Sequence, residues 1–247
     1  MTTHTDEIRK QALQYQWMHN ADWTQMAETG EPLVMVKGEG VRVTDSTGKT
    51  WLDVHGGYTC VNLGYGRTEI AEVAYDQISK ITYFPQGTTT VPVIQLCEKL
   101  AELLPGDINR SWPGSGGSEA NETAIKMVRA YHKRRGESGR YKVISRKGSY
   151  HGTTGGVLWT GSNPATPRSD FEPPYPGMLY APQPNPYRCE YGGKTSSECA
   201  VLCANAVETL IIENDPDTIA AFIAEPIATP LGCPVPGEEY WPMKRNI

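Results

Sequence analysis

Glycine and serine are concentrated in one short stretch whose spacing suits the binding of an anion. Three glycines and two serines fill the positions between Gly114 and Ser118. Apolar residues then recur at helical spacing, which predicts a helix over residues 118–132. A glycine loop that opens a helix leaves backbone N–H groups free, at the positive end of the helix dipole. The stretch therefore predicts a phosphate site.

A simpler interpretation needs no ligand. In it, Ser118 only caps the helix and the glycines form a tight turn. The standard nucleotide motifs do not fit, because no Gly-Lys-Ser/Thr follows at Walker spacing and the glycines are too close together for a GxGxxG fingerprint. The pattern favours phosphate and gives a nucleotide no particular support.

The elements around this loop alternate between helical and strand-like patterns. Residues 141–145 and 219–224 are predicted strands, the second being apolar throughout, and helices are predicted over residues 68–80, 92–104 and 198–212. This alternation predicts an α/β sheet with ligands at the carboxyl ends of its strands. Tyr150 and Glu225 each follow a strand, so we expect both beside Ser118. Packing of Tyr150 and a structural salt bridge of Glu225 are the alternatives.

Two other regions have patterns of their own. Residues 5–27 predict a helix that ends in irregular structure, and short strands at 33–36, 41–43 and 51–54 predict an antiparallel meander with turns at 37–40 and 45–48. We assign residues 1–55 to an N-terminal segment and part of a small domain, and residues 56–247 to the first part of a large domain. Residues 160–197 contain eight prolines and predict a long surface excursion without regular structure.

Composition excludes several classes of protein. A net charge of −5 disfavours a nucleic-acid partner, and the basic cluster between Lys133 and Lys147 is interpreted as a solvated helix end. No stretch approaches the ~20 apolar residues of a membrane span. Six dispersed cysteines predict free buried thiols in a reducing cytoplasm, and no metal site is predicted, because Cys199 and Cys203 lack a second pair at zinc spacing.

Several motifs together resemble the class III (omega-type) aminotransferases. Residues Gly117–Lys126 resemble the phosphate-binding loop and helix of that family. Further matches follow the family's order at Trp51–Asp53, Val61–Gly66, Ser149–Gly152 and Ala224–Pro226. The resemblance covers nearly the whole chain after about residue 30, and the joint match of five motifs makes it specific.

The resemblance implies a fold-type I α/β transferase that uses pyridoxal 5'-phosphate (PLP). Its sheet would be mostly parallel with helices on both faces, together with the small antiparallel N-terminal meander, and this chain would be an incomplete part of it. Small-molecule amines and keto acids are the implied partners, with no nucleic acid and no membrane. A homodimer is also expected, because aromatic residues fall in segments that so small a domain cannot cover, namely Trp17, Trp23, Tyr83 and Phe84.

The resemblance also assigns the phosphate site. Gly116, Gly117 and Ser118 match the family's phosphate-binding positions. Many members have serine where this chain has Gly116, which removes a hydroxyl and leaves the backbone amides.

The ring and substrate sites follow from the same comparison. Tyr150 matches the aromatic residue that stacks on the PLP ring, with His151 lining the site. Glu225 matches a glutamate beside the cofactor that helps to place the polar end of the substrate. Tyr58 and Thr59 match positions that line the substrate pocket, where many relatives have tryptophan in place of Thr59.

No catalytic residue is assigned in this chain. PLP transamination needs a lysine that holds the cofactor and moves the proton, and an acid under the pyridine nitrogen. In the family both lie after the Glu-Pro strand, and none of the eleven lysines here lies in sequence surroundings like those of the family's catalytic lysine. Lys126 is expected to face outward. We therefore expect the isolated chain to be inactive. An aminomutase, a phospholyase or a non-catalytic phosphate-binding fragment are the alternatives.

Overall fold

The chain divides into two compact units, Met1–Val91 and Pro92–Ile247. The structure is a computed structural model that describes residues 4–18, 21–29, 32–85, 87–166 and 168–247. The domain limit predicted between residues 55 and 56 lies inside the first unit and stays a prediction for the complete fold. Among the described residues, no helix combines the length and the apolar character needed to cross a bilayer.

The first unit contains short helices and a small sheet. Its helices are α1 (His4–Tyr15), α2 (Trp23–Thr29), α3 (Gly56–Thr59) and α4 (Thr68–Lys80), and its strands are β1 (Met35–Glu39), β2 (Arg42–Asp45) and β3 (Thr50–Leu52). The strands pair in the order β1-β2-β3, all antiparallel, so the predicted meander is confirmed. Two details differ from prediction. The N-terminal helix is divided in two, and β1 continues through the predicted turn as far as Glu39.

Asp45 explains the second turn of the meander. One oxygen of its carboxylate accepts hydrogen bonds from the N–H groups of Thr47 (2.9 Å) and Lys49 (3.1 Å), and the other accepts from Trp51 Nε1 (2.8 Å). The hydroxyl of Thr47 and the indole of Trp51 are the main causes that lower the pKa of Asp45 to about 2. One carboxylate therefore fixes both the turn and the strand that follows it.

The second unit is an α/β structure around a three-stranded parallel sheet. Helix α5 (Val91–Leu103) leads into it, followed by α6 (Gly117–Arg134), β4 (Lys142–Arg146), α7 (Gly155–Thr160), β5 (Met178–Ala181), α8 (Ser196–Glu213), β6 (Ile219–Phe222) and α9 (Tyr240–Asn246). The strand order is β5-β4-β6, with both pairs parallel and β4 in the centre. The predicted parallel sheet is confirmed.

Successive residues of β4 face opposite helical layers. Val143 packs with Ile125 of α6 and Val157 of α7 on one face. Ile144 packs with Ala181 and with Val207 of α8 on the other face. Because side chains alternate along a strand, this pair of contacts covers both faces of the sheet with helices, as predicted. The carboxyl end of β4 is thereby held in the middle of the unit.

Some expectations are wrong. Residues 160–197 are not free of regular structure, because β5 forms the third parallel strand; its four residues are too few to give a detectable period. Helix α7 was not predicted, since five of its six residues are buried and it has no amphipathic pattern. All six cysteines are free thiols, but Cys60 and Cys233 are exposed rather than buried.

Candidate active site

Helix α6 begins with three backbone donors that have no partner within the helix. Its N-cap is Gly116, which is extended (φ −170°, ψ 168°) and provides no capping side chain. The first helical bond runs from Ala120 N to Gly116 O (3.0 Å), so the N–H groups of Gly117, Ser118 and Glu119 lack a helical acceptor. Gly116 and Gly117 are exposed, and a Cβ at either would meet no atom within 4 Å. The start of α6 is therefore uncrowded at these two glycines, as an anion site requires.

Ser118 connects this helix to the segment that follows β4. It is the second residue of α6, so the interpretation of Ser118 as the helix cap is wrong. Its Oγ accepts a hydrogen bond from Thr153 N (3.2 Å). Gly152 has φ 134°, and a Cβ there would lie only 2.5 Å from Ser118 Oγ. Only glycine allows this close approach, which holds the segment against the N-terminus of α6.

Two further residues of α6 fix the same segment. Asn121 Nδ2 donates to His151 O (2.7 Å). Glu122 Oε1 accepts from Gly156 N (2.8 Å) and Val157 N (3.2 Å), which places a carboxylate at the N-terminus of α7. Sequence reasoning assigned neither residue a role. Glu122 caps α7, a helix that has no amphipathic pattern, and no local sequence pattern indicates the bond of Asn121.

Arg146 differs from what was predicted for the basic cluster. The sequence places it in a solvated helix end, but its side chain is fully buried. It is the last residue of the central strand. Its Nη2 lies 3.5 Å from Glu225 Oε2 and also donates to the main-chain oxygen of Glu225. The salt-bridge interpretation of Glu225 is thus confirmed.

Glu225 also binds the segment after β4. Its Oε1 accepts a hydrogen bond from Tyr150 N (2.8 Å). The expected meeting of Tyr150 and Glu225 is therefore confirmed, and residues 150–153 connect both of them to Ser118. Tyr150 is 44% exposed, so part of the residue is accessible from solvent.

Several buried polar atoms in this region lack hydrogen-bond partners. They include His151 Nε2, Glu225 Oε2, Ser149 Oγ, and Nε and Nη1 of Arg146. Buried polar groups are normally satisfied, so a cluster of unsatisfied ones indicates a missing polar ligand or water. Burial lowers the pKa of His151; the charge of Glu225 opposes this and that of Arg146 adds to it. His151 is therefore neutral at neutral pH.

Tyr58 and Thr59 belong to the first unit. They lie in α3 together with Gly56 and Gly57, and all four residues have φ between 56° and 65°. Side chains with a Cβ adopt this left-handed region at a cost, β-branched ones above all. Asp53 holds the turn by accepting from Gly57 N (2.8 Å). The side chains of Tyr58 and Thr59 are exposed, and their roles toward the substrate stay predictions.

A separate pocket of about 330 Å³ lies elsewhere in the second unit. Lys147, Gln183 and Glu190 are among its lining residues, which include none of the residues predicted for the site. This pocket is therefore distinct from the predicted phosphate site at the N-terminus of α6, which stays a prediction.

Comparison with known proteins identifies a family. The family model for class III aminotransferases matches residues 25–247. An uncharacterized aminotransferase, YhxA, of Bacillus subtilis is 41% identical over 221 residues, which are 90% of this chain and 48% of that protein. A putrescine–pyruvate aminotransferase of Pseudomonas aeruginosa is 37% identical, over 92% of this chain and 49% of that protein. The chain spans about half the length of these curated relatives.

Solved structures give the same result. A thermostable (S)-enantioselective omega-transaminase from Thermomicrobium roseum superposes with a TM-score of 0.92 and 35% identity, over 100% of this chain and 55% of that one. The omega transaminase of Pseudomonas jessenii, solved in complex with PMP, has a TM-score of 0.91 and 30% identity, over 97% of this chain and 53% of that one. The chain belongs to the class III aminotransferases, a PLP-dependent family with the type I fold.

Proposed function

We propose that this chain is the cofactor-binding part of an enzyme that uses PLP to transfer an amino group between an amine or amino acid and a keto acid or aldehyde. Its membership of the class III aminotransferases supports the proposal. One relative is a putrescine–pyruvate aminotransferase and another a hypotaurine/taurine–pyruvate aminotransferase, so a small amine and a keto acid are the proposed substrates.

The observation that supports this function best is the uncapped N-terminus of α6. Three amide donors and the positive end of an 18-residue helix suit a phosphate dianion. The unpartnered polar atoms of His151 and Glu225 belong to the segments tied to this helix end. The residues present therefore fit a ligand that has both a phosphate and a polar ring.

Each proposed binding residue has a physical task. The N–H groups of Gly117 and Ser118, with the Ser118 hydroxyl, would hold the phosphate, and Gly116 leaves room for it. The exposed ring of Tyr150 would stack on the pyridine ring. PLP supplies an electron sink for the bond that is broken, and these residues would bind and orient it.

The remaining residues are proposed for the substrate side of the site. Glu225, fixed by Arg146 and by Tyr150 N, would position the polar end of the substrate. His151, neutral and buried, would line the site and not act as a base. Tyr58 and Thr59 would line the substrate pocket. Thr59 is small, so it would leave more space than the tryptophan of many relatives.

The catalytic lysine and the acid under the ring are not assigned in this chain. Lys126 is exposed on α6, and Lys147 forms an ion pair with Glu190. We therefore propose that the isolated 247-residue chain binds PLP without turnover. A cytoplasmic location is proposed on the free thiols of the six cysteines.

A homodimer is proposed as the native assembly. Helix α4 has no buried residue, although apolar side chains recur along it. Trp17, Tyr83 and Phe84 are 88%, 76% and 55% exposed, whereas Trp23 is half-buried against Trp17 at a ring distance of 5.7 Å. Apolar surface of this extent is typical of an interface.

The experiment that tests the function is amine-dependent formation of alanine from pyruvate by the complete protein. We expect turnover with added PLP, none in its absence, and none from the isolated 247-residue chain under the same conditions. Borohydride treatment before the assay should fix the cofactor to the complete protein and abolish the activity.

Two other outcomes would replace the proposal. PLP bound and fixed by borohydride, without alanine formation from any amine, would indicate another PLP activity such as an aminomutase or a phospholyase. No PLP binding at all would leave a phosphate-binding fragment without catalysis, and the proposed function would be wrong.

A further inference from the structure

Three cysteine sulfurs from two separate segments meet on one side of α8. Cys199 and Cys203 lie one turn apart in α8, and their Sγ atoms are 4.0 Å apart. Cys189 comes from the loop before the helix, and all three Sγ atoms lie within 4.8 Å of one another. The sequence showed only the pair in the helix, because nine residues lie between Cys189 and Cys199 and that spacing matches no zinc motif.

The surrounding chain is closely fitted to this thiol cluster. A Cβ at Gly193 would lie 2.8 Å from Cys199 N and 3.2 Å from Cys189 Sγ. The loop therefore reaches the helix only because residue 193 has no side chain. The cluster is otherwise covered by Tyr240 and Met243 of α9. Cys199 and Cys203 are fully buried, and Cys189 is half-buried at the edge.

The arrangement differs from ordinary packing of cysteines as small apolar residues. Packing alone requires no third thiol to converge on a pair. A zinc–sulfur bond of about 2.3 Å in tetrahedral geometry places ligand sulfurs about 3.8 Å apart, so these sulfurs need to move by roughly 1 Å or less. Within the described part of the chain, no carboxylate or imidazole joins the three sulfurs as a ligand. Three soft ligands in an apolar setting favour a thiophilic cation over a hard one.

We propose that Cys189, Cys199 and Cys203 bind one thiophilic metal ion, Zn²⁺ or Cu⁺, which fixes the loop around Cys189 to helix α8. Zn²⁺ would complete its coordination with a water on the half-exposed Cys189 side, whereas Cu⁺ needs only the three sulfurs. The role is structural. The same loop supplies Glu190, which pairs with Lys147 just after β4, so the metal would stabilise the loop that borders the end of the central strand.

The test begins with the metal content of the complete protein, purified under reducing conditions without chelators. Elemental mass spectrometry should find one Zn or Cu per chain. After removal of the metal, Zn²⁺ and Cu⁺ are added back separately to identify the ion. X-ray absorption should then find three sulfur neighbours, at about 2.3 Å for zinc. This measurement needs no variant, so a folding defect cannot confuse it.

Variants then test the ligand set. Cys189→Ser changes the half-buried thiol and is the first choice, because Cys199→Ser and Cys203→Ser alter fully buried positions. In the Cys189→Ser variant, the dissociation constant for the metal should rise substantially. Loss of an outer-shell partner raises it roughly 10–100-fold, and loss of a direct ligand should raise it by more. Cys97→Ser and Cys233→Ser, which change cysteines outside the cluster, should bind metal like the unaltered protein.

Two results would overturn the proposal. One is a protein that binds neither ion after reconstitution, or that binds it equally well with Cys189→Ser. The other is a disulfide between Cys189 and either partner, found by peptide mapping of protein kept under the same reducing conditions, because a redox pair would then explain the cluster.

Discussion

The residues proposed for PLP in the second unit and those proposed for the substrate in the first unit are held in different ways. In the second unit, Ser118, Glu122 and Glu225 hydrogen-bond to backbone groups 35, 34 and 75 positions away in sequence. In the first unit, the turn at Tyr58 and Thr59 depends on Asp53, whose hydrogen bonds reach at most twelve positions. The proposed site residues of the second unit are therefore fixed by tertiary structure, whereas Tyr58 and Thr59 are fixed locally.

This difference has a functional meaning. A phosphate site must keep its geometry whatever the substrate, and long-range bonds from several elements provide that. A locally built turn can change its side chains without disturbing the sheet. We therefore expect substitutions in the second unit to affect stability and cofactor binding, and substitutions at Tyr58 and Thr59 to affect mainly the choice of substrate.

The largest effect is expected when the buried charge pair is broken. Arg146→Met leaves the Glu225 carboxylate without its partner and should lower the free energy of unfolding by about 3–5 kcal/mol. The matched control is Arg135→Met, which removes an exposed pair with Glu137 and should cost at most about 1 kcal/mol. Urea unfolding of the complete protein measures both. Equal unfolding midpoints for the two variants would contradict the importance of the tertiary contacts.

The next largest effect is expected at the close approach behind Ser118. Gly152→Ala combines a positive φ with a Cβ that meets Ser118 Oγ at 2.5 Å, so the loss should be about 2–4 kcal/mol. Gly136→Ala also has a positive φ, but no atom lies within 4 Å of its Cβ, so only about 1 kcal/mol should be lost. If thermal or urea unfolding gives both variants the same loss, the contact with α6 is not tight.

A pH dependence should come from the second unit through His151. Because burial chiefly lowers its pKa, the unfolded chain takes up a proton that the folded protein resists. Stability should therefore fall as pH drops below the unfolded value of about 6.5. His151→Gln should make the free energy of unfolding less dependent on pH in that range. If the free energy of unfolding changes with pH in the same way for the variant and the unaltered protein, His151 does not contribute to the pH dependence.

The smallest effect is expected in the first unit. Thr59→Gly relieves a β-branched residue at φ 65°, and after the entropic cost of glycine it should stabilise the protein by about 0.5 kcal/mol. The control Thr89→Gly relieves no such strain and should destabilise by about 0.5–1 kcal/mol. PLP affinity should not change in either variant. A Thr59→Gly variant with weakened PLP binding would mean that the two regions are not independent.

Local patterns predicted the elements that have a strong period or a distinctive composition. The glycine loop and α6 were found because the glycines are followed at once by apolar residues at helical spacing. Helix α4 was predicted with the limits that it has, and β4 within one residue. The antiparallel meander was found from its turn residues.

Features that depend on tertiary contacts were missed. Arg146 has neighbours in sequence that are basic, and only its place at the end of the central strand explains its burial. Asn121 binds the main chain of His151, and Glu122 binds the start of a helix that has no amphipathic signal. The meeting of Cys189 with Cys199 and Cys203 depends on how a long loop folds back. A single sequence contains no local signal for such contacts.

The most direct test of the account is the affinity of the complete, cofactor-free protein for PLP and for pyridoxal, with and without Ser118→Ala. If the N-terminus of α6 holds the phosphate, loss of this hydroxyl should raise the dissociation constant for PLP roughly 10–100-fold, as for one hydrogen bond to a charged group. Binding of pyridoxal, which has no phosphate, should not change, and Ser138→Ala should alter neither. Unchanged PLP affinity, or equal losses for PLP and pyridoxal, would contradict the assignment of this helix as the phosphate site.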